Sequence, residues 1–248
     1  MKCFYWSVIS LFILSFSVAQ AQTSGSAASY LERGNRFYAA GDLDKAIADY
    51  GIAITFNPAW SLAYYNRGIA RFNKADLYAA IADFEAAIQI DPHYAAAYAK
   101  RSDVLYFRGD FDEAIAGYSK AIAINPHLAE AYCNRGGARK AKGDLDGAIA
   151  DYNQSLKINP RMAAAYNNRG NALRLKGHLR EAIADFGEAI KIDRSYAAAY
   201  ANRGLALLLG GKAAEAEKDF ERCLKLDANL KPFVEQMKEL GRQLTAKQ

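Results

Sequence analysis

The stretch AEAYCNRGGARKAKGDLDGAIADYNQSLKINPRM, residues 129–162, decides the fold, because its pattern returns along the chain. Small and large apolar side chains recur at helical spacing over residues 131–142. Gly143 can take the left-handed backbone that ends a helix, and Asp144 can cap the next helix with its carboxylate. Pro160 disfavours helix in the residue before it. The stretch is therefore predicted to form a helix, a turn and a second helix.

Four kinds of residue repeat at an interval of 34 residues. The first helix carries an aromatic residue at Tyr30, Tyr64, Tyr98, Tyr132, Tyr166 and Tyr200, and four residues later a small one at Gly34, Gly68, Ser102, Gly136, Gly170 and Gly204. The second helix carries an alanine at Ala46, Ala80, Ala114, Ala148, Ala182 and Ala216, and four residues later a ring at Tyr50, Phe84, Tyr118, Tyr152, Phe186 and Phe220. Small residues let paired helices approach, and the rings fill the space around that contact. Six units follow: 27–60, 61–94, 95–128, 129–162, 163–196 and 197–230.

These residues, at these offsets, resemble the signature of the tetratricopeptide-repeat (TPR) family over residues 27–230. The resemblance implies an all-α fold, a right-handed α-solenoid of six helix-turn-helix units stacked on one another. Two departures are Arg71 and Arg139, which stand where the family usually has a large apolar residue. Residues 231–248 are predicted to add a capping helix and tail, with one apolar stripe of Phe233, Met237, Leu240 and Leu244.

The N-terminus has the features of an export signal. Lys2 precedes a mostly apolar run over residues 4–18, and Ala19 and Ala21 are small residues two apart. The first 21 residues are therefore predicted to be a secretory signal peptide, followed by a linker over residues 22–26. We expect an exported protein, periplasmic or secreted, with no stable membrane insertion after cleavage. An uncleaved N-terminal anchor is the alternative, although the run is short for a bilayer-spanning helix.

Charge and composition limit the classes of function. The chain has 32 Lys and Arg against 27 Asp and Glu, and loss of Lys2 with the signal would leave 31 against 27, a net charge of +4. No basic run is long enough to follow a phosphate backbone, so nucleic acid is not an expected partner. The three histidines have no metal-ligand spacing, and no catalytic motif occurs. Neither enzymatic activity nor a metal or cofactor is expected, and Cys133 and Cys223 are expected to be free thiols.

A row of arginines repeats in step with a row of aspartates. The arginines are Arg33, Arg67, Arg101, Arg135, Arg169 and Arg203, and the aspartates are Asp49, Asp83, Asp151, Asp185 and Asp219. The third unit has Gly117 at the aspartate position. A guanidinium can bond a carboxylate through two parallel hydrogen bonds, so we predict a structural Arg–Asp ladder between helices in preference to anion capture by the arginines.

A second polar row is predicted to bind a partner. Asn66, Asn134, Asn168 and Asn202 each precede a ladder arginine. The TPR resemblance places this position on the concave surface, where the asparagines are similar to the ladder with which protein O-linked N-acetylglucosamine transferases grip an extended peptide. An amide can donate to and accept from a peptide backbone. The other residues predicted in this groove are Asn35, Tyr65, Phe72, Lys100, Tyr106, Asn171 and Arg174. The simpler interpretations are that the asparagines only solvate a helix face and that several of the rings pack inward.

The predicted function is a scaffold that binds an extended peptide or partner segment in the concave groove. Asn35, Asn66 and Lys100 match three of the five positions of the carboxylate clamp in co-chaperone TPR domains, while Leu31 and Ala96 replace two of its lysines. Most of the charge of that clamp is therefore missing. Two alternatives stay open at this point: a structural module that assembles into homo-oligomers through its open ends, and a non-catalytic adaptor subunit of an envelope enzyme complex.

Overall fold

A computed structural model describes residues 25–245. The predicted signal peptide, residues 22–24 of the predicted linker and residues 246–248 of the predicted tail lie outside this part. The chain forms two compact units, one ending at Pro92 and the other beginning at His93. Within the described residues both units consist of helices and contain no strand, which confirms the all-α prediction. None of these helices is long and apolar enough to cross a membrane.

The N-terminal unit consists of two helix-turn-helix pairs. Its helices are α1 (Ala27–Ala39), α2 (Leu43–Phe56), α3 (Ser61–Asn73) and α4 (Leu77–Ile90). Helix α2 packs against both α1 and α3, and the two first helices α1 and α3 also contact each other. Its core contains Leu31, Tyr50 and Ile54, with Trp60 packed against it.

The C-terminal unit contains four pairs and one more helix. The pairs are α5 (Ala95–Arg108) with α6 (Phe111–Ile124), α7 (Ala129–Ala141) with α8 (Leu145–Ile158), α9 (Ala163–Leu175) with α10 (Leu179–Ile192), and α11 (Ala197–Leu209) with α12 (Ala213–Leu226). A 3₁₀ turn (Ala228–Leu230) leads into α13 (Lys231–Thr245). The first helices α5, α7, α9 and α11 contact one another in sequence, whereas no such contact joins the second helices in the part described. The first helices therefore form a continuous layer of this unit.

The last helix caps the stack, as predicted. Helix α13 packs on α11 and α12, and Val234 is its fully buried residue. Phe233 and Met237 of the predicted stripe pack against the same cluster, which includes Phe220 and Cys223. The sequence pattern missed Val234, because it read the stripe from Phe233 alone, whereas the buried face is shifted by one residue.

Capping and turn chemistry follow the sequence with two exceptions. Asp42, Asp76 and Asp144 each accept a hydrogen bond from the backbone N–H three residues on. Asp110 does not, since its carboxylate pairs with Arg108 instead. Ala75 occupies a turn position where glycine stands in other pairs and has a φ of 61°, a left-handed backbone that strains a residue with a Cβ.

The glycine of each first helix faces a buried ring. A Cβ built on Gly136 would lie 2.8 Å from the Tyr152 ring and 3.1 Å from the Ala148 carbonyl oxygen. The third pair departs from this arrangement in two linked positions: it has Ser102 in place of the glycine, and a Cβ on Gly117 would overlap the Ser102 hydroxyl. The serine and the second glycine therefore compensate each other.

The two consecutive glycines of α7 give a matched test of this packing. We expect Gly136→Ala to lower the free energy of unfolding by about 1–3 kcal/mol, because the methyl group would clash with Tyr152. Gly137→Ala should raise it by about 0.5–1 kcal/mol, because its Cβ would lie 3.8 Å from Tyr106 and alanine favours helix. Urea denaturation of both variants measures the difference, and effects of the same sign would contradict the packing described.

Candidate functional site

The predicted Arg–Asp ladder is confirmed in five pairs. In each, the guanidinium Nε and Nη2 donate to the two oxygens of one carboxylate, with shortest distances of 2.6–2.7 Å. The pairs are Arg33–Asp49, Arg67–Asp83, Arg135–Asp151, Arg169–Asp185 and Arg203–Asp219. All five aspartates are buried. A buried carboxylate needs such partners, so this row has a structural role.

The ladder arginines also make contacts outside their own ion pair. Each lies over the tyrosine ring of its own first helix, at 4.9–5.8 Å from the ring centroid. Two of them reach the preceding pair: Arg135 Nη1 donates to Ser119 Oγ at 2.9 Å, and Arg169 Nη1 donates to Asn153 Oδ1 at 2.6 Å. One guanidinium thus joins three helices, which leaves little of it for a ligand.

Two further arginines complete the ladder and were not predicted to do so. Arg71 Nη1 donates to Asp83 at 2.8 Å, and Arg139 Nη1 donates to Asp151 at 2.9 Å. Both stand where the family usually has an apolar residue. Their position four residues after a ladder arginine, one turn along the same helix, is the signal that could have identified them.

In the N-terminal unit the predicted groove residues form a small pocket. Asn66 Nδ2 donates to Asn35 Oδ1 at 3.1 Å, and the Tyr50 hydroxyl donates to the same oxygen at 2.8 Å. Burial raises the pKa of Tyr50 to about 12, so the hydroxyl stays protonated as a donor at neutral pH. With Tyr38 and Ile69 these residues line a pocket of about 180 Å³.

Tyr65 and Phe72 of the same unit are both half-buried. The Tyr65 ring packs on Phe84 at 5.9 Å between centroids, so it contributes to the core as well as to the surface. The inward-packing interpretation therefore applies to Tyr65 at least in part.

In the C-terminal unit the predicted residues Asn134 and Lys100 meet on Asp103. This carboxylate accepts from Asn134 Nδ2 at 2.9 Å, from Lys100 Nζ at 2.8 Å and from the Tyr118 hydroxyl at 2.8 Å. Burial, and then the negative charge of Asp103, raises the pKa of Tyr118. Asp103 was missed by the sequence reasoning; its signal is that it stands one repeat after the position of Ile69 and 15 residues before a buried tyrosine.

Asn168 and Asn202 make similar contacts to the preceding first helix. Asn168 Nδ2 lies 3.9 Å from the Cys133 Sγ, and Asn202 Nδ2 donates to Asn167 Oδ1 at 2.9 Å. Asn202 is buried, so it offers less surface than Asn134, which is exposed. Burial raises the pKa of the Cys133 thiol, which therefore stays protonated at neutral pH.

Three predicted residues lie toward the ends of the first helices. Tyr106 is 40% exposed and its ring lies 5.5 Å from that of Phe111. Asn171 Nδ2 donates to the Asn167 carbonyl oxygen at 3.2 Å, and Arg174 is half-buried. We call the surface of α5, α7, α9 and α11 that carries Tyr106, Asn134, Asn168 and Arg174 the first-helix face.

The cysteines and acidic groups show no second chemistry. Cys133 and Cys223 are both free and buried, as predicted. Within residues 25–245, no group of His, Cys, Asp and Glu side chains is arranged to hold a metal ion.

Comparison with known families matches most of the chain. The family described as "TPR repeat" matches residues 34–74, 102–143, 136–177 and 170–211. The family described as "Tetratricopeptide repeat" matches residues 62–94 and 197–230. A search of the curated proteins gives no match.

Solved structures with a similar fold include three that differ in sequence. The crystal structure of MamA is 25% identical, covers 65% of this chain and 95% of its own, and has a TM-score of 0.59. YrrB, described as a TPR protein with an unusual peptide-binding site, is 19% identical over 77% of this chain and 97% of its own, with a TM-score of 0.61. PilF of Pseudomonas aeruginosa is 14% identical over 82% and 92%, with a TM-score of 0.73.

The buried aspartates can be tested against exposed ones on the same helix. We expect Asp151→Ala to lower the free energy of unfolding by about 3–5 kcal/mol, because it leaves Arg135 and Arg139 without their shared carboxylate. Asp146→Ala should cost less than about 1 kcal/mol, because Asp146 is 85% exposed in its pair with Lys176. Equal losses in urea denaturation would show that the ladder does not stabilise the stack.

Proposed function

The chain belongs to the tetratricopeptide-repeat family, and from this membership we propose that it is a scaffold that binds an extended segment of a partner protein along its first-helix face. TPR proteins are protein-interaction scaffolds, and the fold is generally non-catalytic. The peptide-binding site named for YrrB belongs to that protein, and it supports the choice of a peptide as the ligand class here.

The observation that carries this proposal is the layer of adjacent first helices with side chains in the same register. Packed helices lie about 8–10 Å apart, and an extended chain rises about 3.3 Å per residue. One helix pair therefore corresponds to about three residues of a bound segment. Asn134 and Asn168 are 34 residues apart, so their amides can meet backbone groups at this interval.

The contacts of these amides leave part of each available. Asn134 and Asn168 each direct an amide Nδ2 toward the preceding first helix. This contact fixes the orientation of the side chain, and the amide oxygen stays available to accept a hydrogen bond from a peptide N–H. A fixed amide loses less conformational entropy on binding than a mobile one does.

Aromatic side chains at one end of the same helices favour an apolar contact. Tyr106 is 40% exposed and Phe107 is 68% exposed. Exposed aromatic rings close to polar side chains are typical anchors of protein interfaces. The ligand we propose therefore combines an extended backbone with at least one apolar side chain.

We also propose that the protein works outside the cytoplasm, because residues 1–21 have the pattern of a secretory signal. Its partner is then a protein of the periplasm or of the extracellular space.

The peptide-binding proposal is tested with a soluble synthetic library of random 12-residue peptides, read by mass spectrometry after capture on the immobilised protein. We expect the native protein to enrich a defined set of peptides. The double variant Asn134→Ala, Asn168→Ala should bind them at least about tenfold more weakly, because it lacks two backbone hydrogen bonds worth about 1 kcal/mol each.

The control is Gln154→Ala, which removes an exposed amide from the second helix α8. It should bind as the native protein does. Peptides recovered equally by all three proteins, or none recovered by the native one, would contradict binding on the first-helix face.

Export is tested by the mass of the protein purified from the envelope of a Gram-negative host. Cleavage after Ala21 should leave a chain that begins at Gln22, and Ala21→Arg should leave the signal attached. A full-length native chain found only in the cytoplasm would show that residues 1–21 are not an export signal.

A further inference from the structure

The Tyr152 hydroxyl is a buried donor without an acceptor. In the two other pairs that have a second-helix tyrosine, the hydroxyl donates to a polar side chain 15 residues earlier: Tyr50 to Asn35 and Tyr118 to Asp103. The corresponding residue for Tyr152 is Gly137, which has no side chain. Tyr152 is fully buried, and its hydroxyl has no hydrogen-bond partner among the described residues. Such a group is costly unless something else satisfies it.

Lys140 and Arg174 are two cations without a counter-ion. They occupy the same register on the adjacent first helices α7 and α9, and both are half-buried. Within residues 25–245, neither has an ion pair, and the Arg174 Nε is buried with no hydrogen-bond partner. Burial lowers the pKa of both side chains, and the positive charge of Arg174 lowers that of Lys140 further. An anion placed beside them would relieve both effects.

These three donors belong to one part of the first-helix face. Lys140 follows Gly137 by three residues and so lies one turn along the same side of α7. Arg174 occupies the position of Lys140 one repeat later. Cys133, four residues before Gly137, lies within electrostatic range of both Lys140 and Tyr152. Tyr106, 3.8 Å from where a Gly137 Cβ would be, forms an exposed edge of this part of the surface.

We propose that Lys140, Arg174 and the Tyr152 hydroxyl bind a carboxylate of the partner segment, so that the scaffold selects acidic segments. This inference rests on the proposed function. The two oxygens of a carboxylate offer about four acceptor positions, enough for two cations and a hydroxyl. Asp103 shows the same chemistry within the chain, since its carboxylate satisfies Tyr118 and Lys100 in the preceding pair.

This site differs from the co-chaperone clamp that the sequence resembles in part. The matching clamp residue of this unit, Lys100, is already paired with Asp103. Lys140, Arg174 and Tyr152 stand at other positions of the repeat. A carboxylate bound by them would lie beside α7 and α9 rather than beside Lys100.

The test uses the same library of 12-residue peptides, made with equal amounts of Asp, Glu, Asn and Gln at every position and with either a free or an amidated C-terminus. The native protein should enrich Asp and Glu over their amides by roughly tenfold at one position of the bound peptides, because charged hydrogen bonds are stronger than neutral ones. Acid preference in both libraries assigns the site to a side chain, and preference for the free C-terminus alone assigns it to a terminal carboxylate; either supports the proposal.

Four variants identify the residues responsible. Tyr152→Phe keeps the ring that Phe84, Phe186 and Phe220 supply in other pairs, so it should fold and bind peptides with the acid preference reduced. Lys140→Ala and Arg174→Ala should lose the preference. Gly137→Asp should also lose it, because it places a carboxylate of the chain itself at the position equivalent to Asp103.

The matched control is Lys157→Ala, which removes the same charge as Lys140→Ala from an exposed position on α8 and should keep the preference. Peptides enriched without any excess of Asp or Glu would overturn the carboxylate site while leaving the proposed function standing. A preference that survives in Tyr152→Phe, Lys140→Ala and Arg174→Ala would do the same. No enrichment at all would overturn both.

Discussion

The structure depends on a buried ion pair that is repeated once per helix pair. A buried carboxylate is tolerated only when donors surround it, and here the ladder arginine supplies two of them while its flat face covers a tyrosine ring. Because Arg135 and Arg169 also donate to the preceding pair, the same side chain fixes both the pair and its neighbour. This arrangement has a functional consequence. The arginines are used within the stack, so the recognition of a partner falls to other positions of the first helices.

Most of the fold could be predicted because its determinants are local and periodic. Ring, glycine and alanine positions at a fixed interval specify helix pairs, and an arginine and an aspartate in step specify the ladder. The candidate site was harder to predict. Whether Asn134 faces a ligand or its own neighbour depends on Asp103, 31 residues earlier, and the state of Tyr152 depends on the missing side chain of Gly137. Such contacts join individual residues of different helices, so no single helical pattern shows them.

The third pair shows how far the pattern can change while the fold is kept. Ser102 replaces a glycine and Gly117 replaces a ladder aspartate, and each change leaves room for the other. The ring of Tyr118 is buried all the same, and its hydroxyl is satisfied by Asp103. Loss of one ion pair is therefore accommodated by a different polar contact on the first-helix face. The fourth pair has kept its ion pair and lost that polar contact, which is why its surface differs chemically from that of the third.

The side-chain hydrogen bonds between successive pairs have one more property: those described join residues 16 to 35 apart in sequence, about one repeat or less. Chain length does not enter into them. A tandem duplication or deletion of one 34-residue module would therefore preserve every such bond on both sides of the junction. The reach of the binding surface can then change by whole modules during evolution, and contact order, which limits how fast a chain folds, would stay low as the array grew.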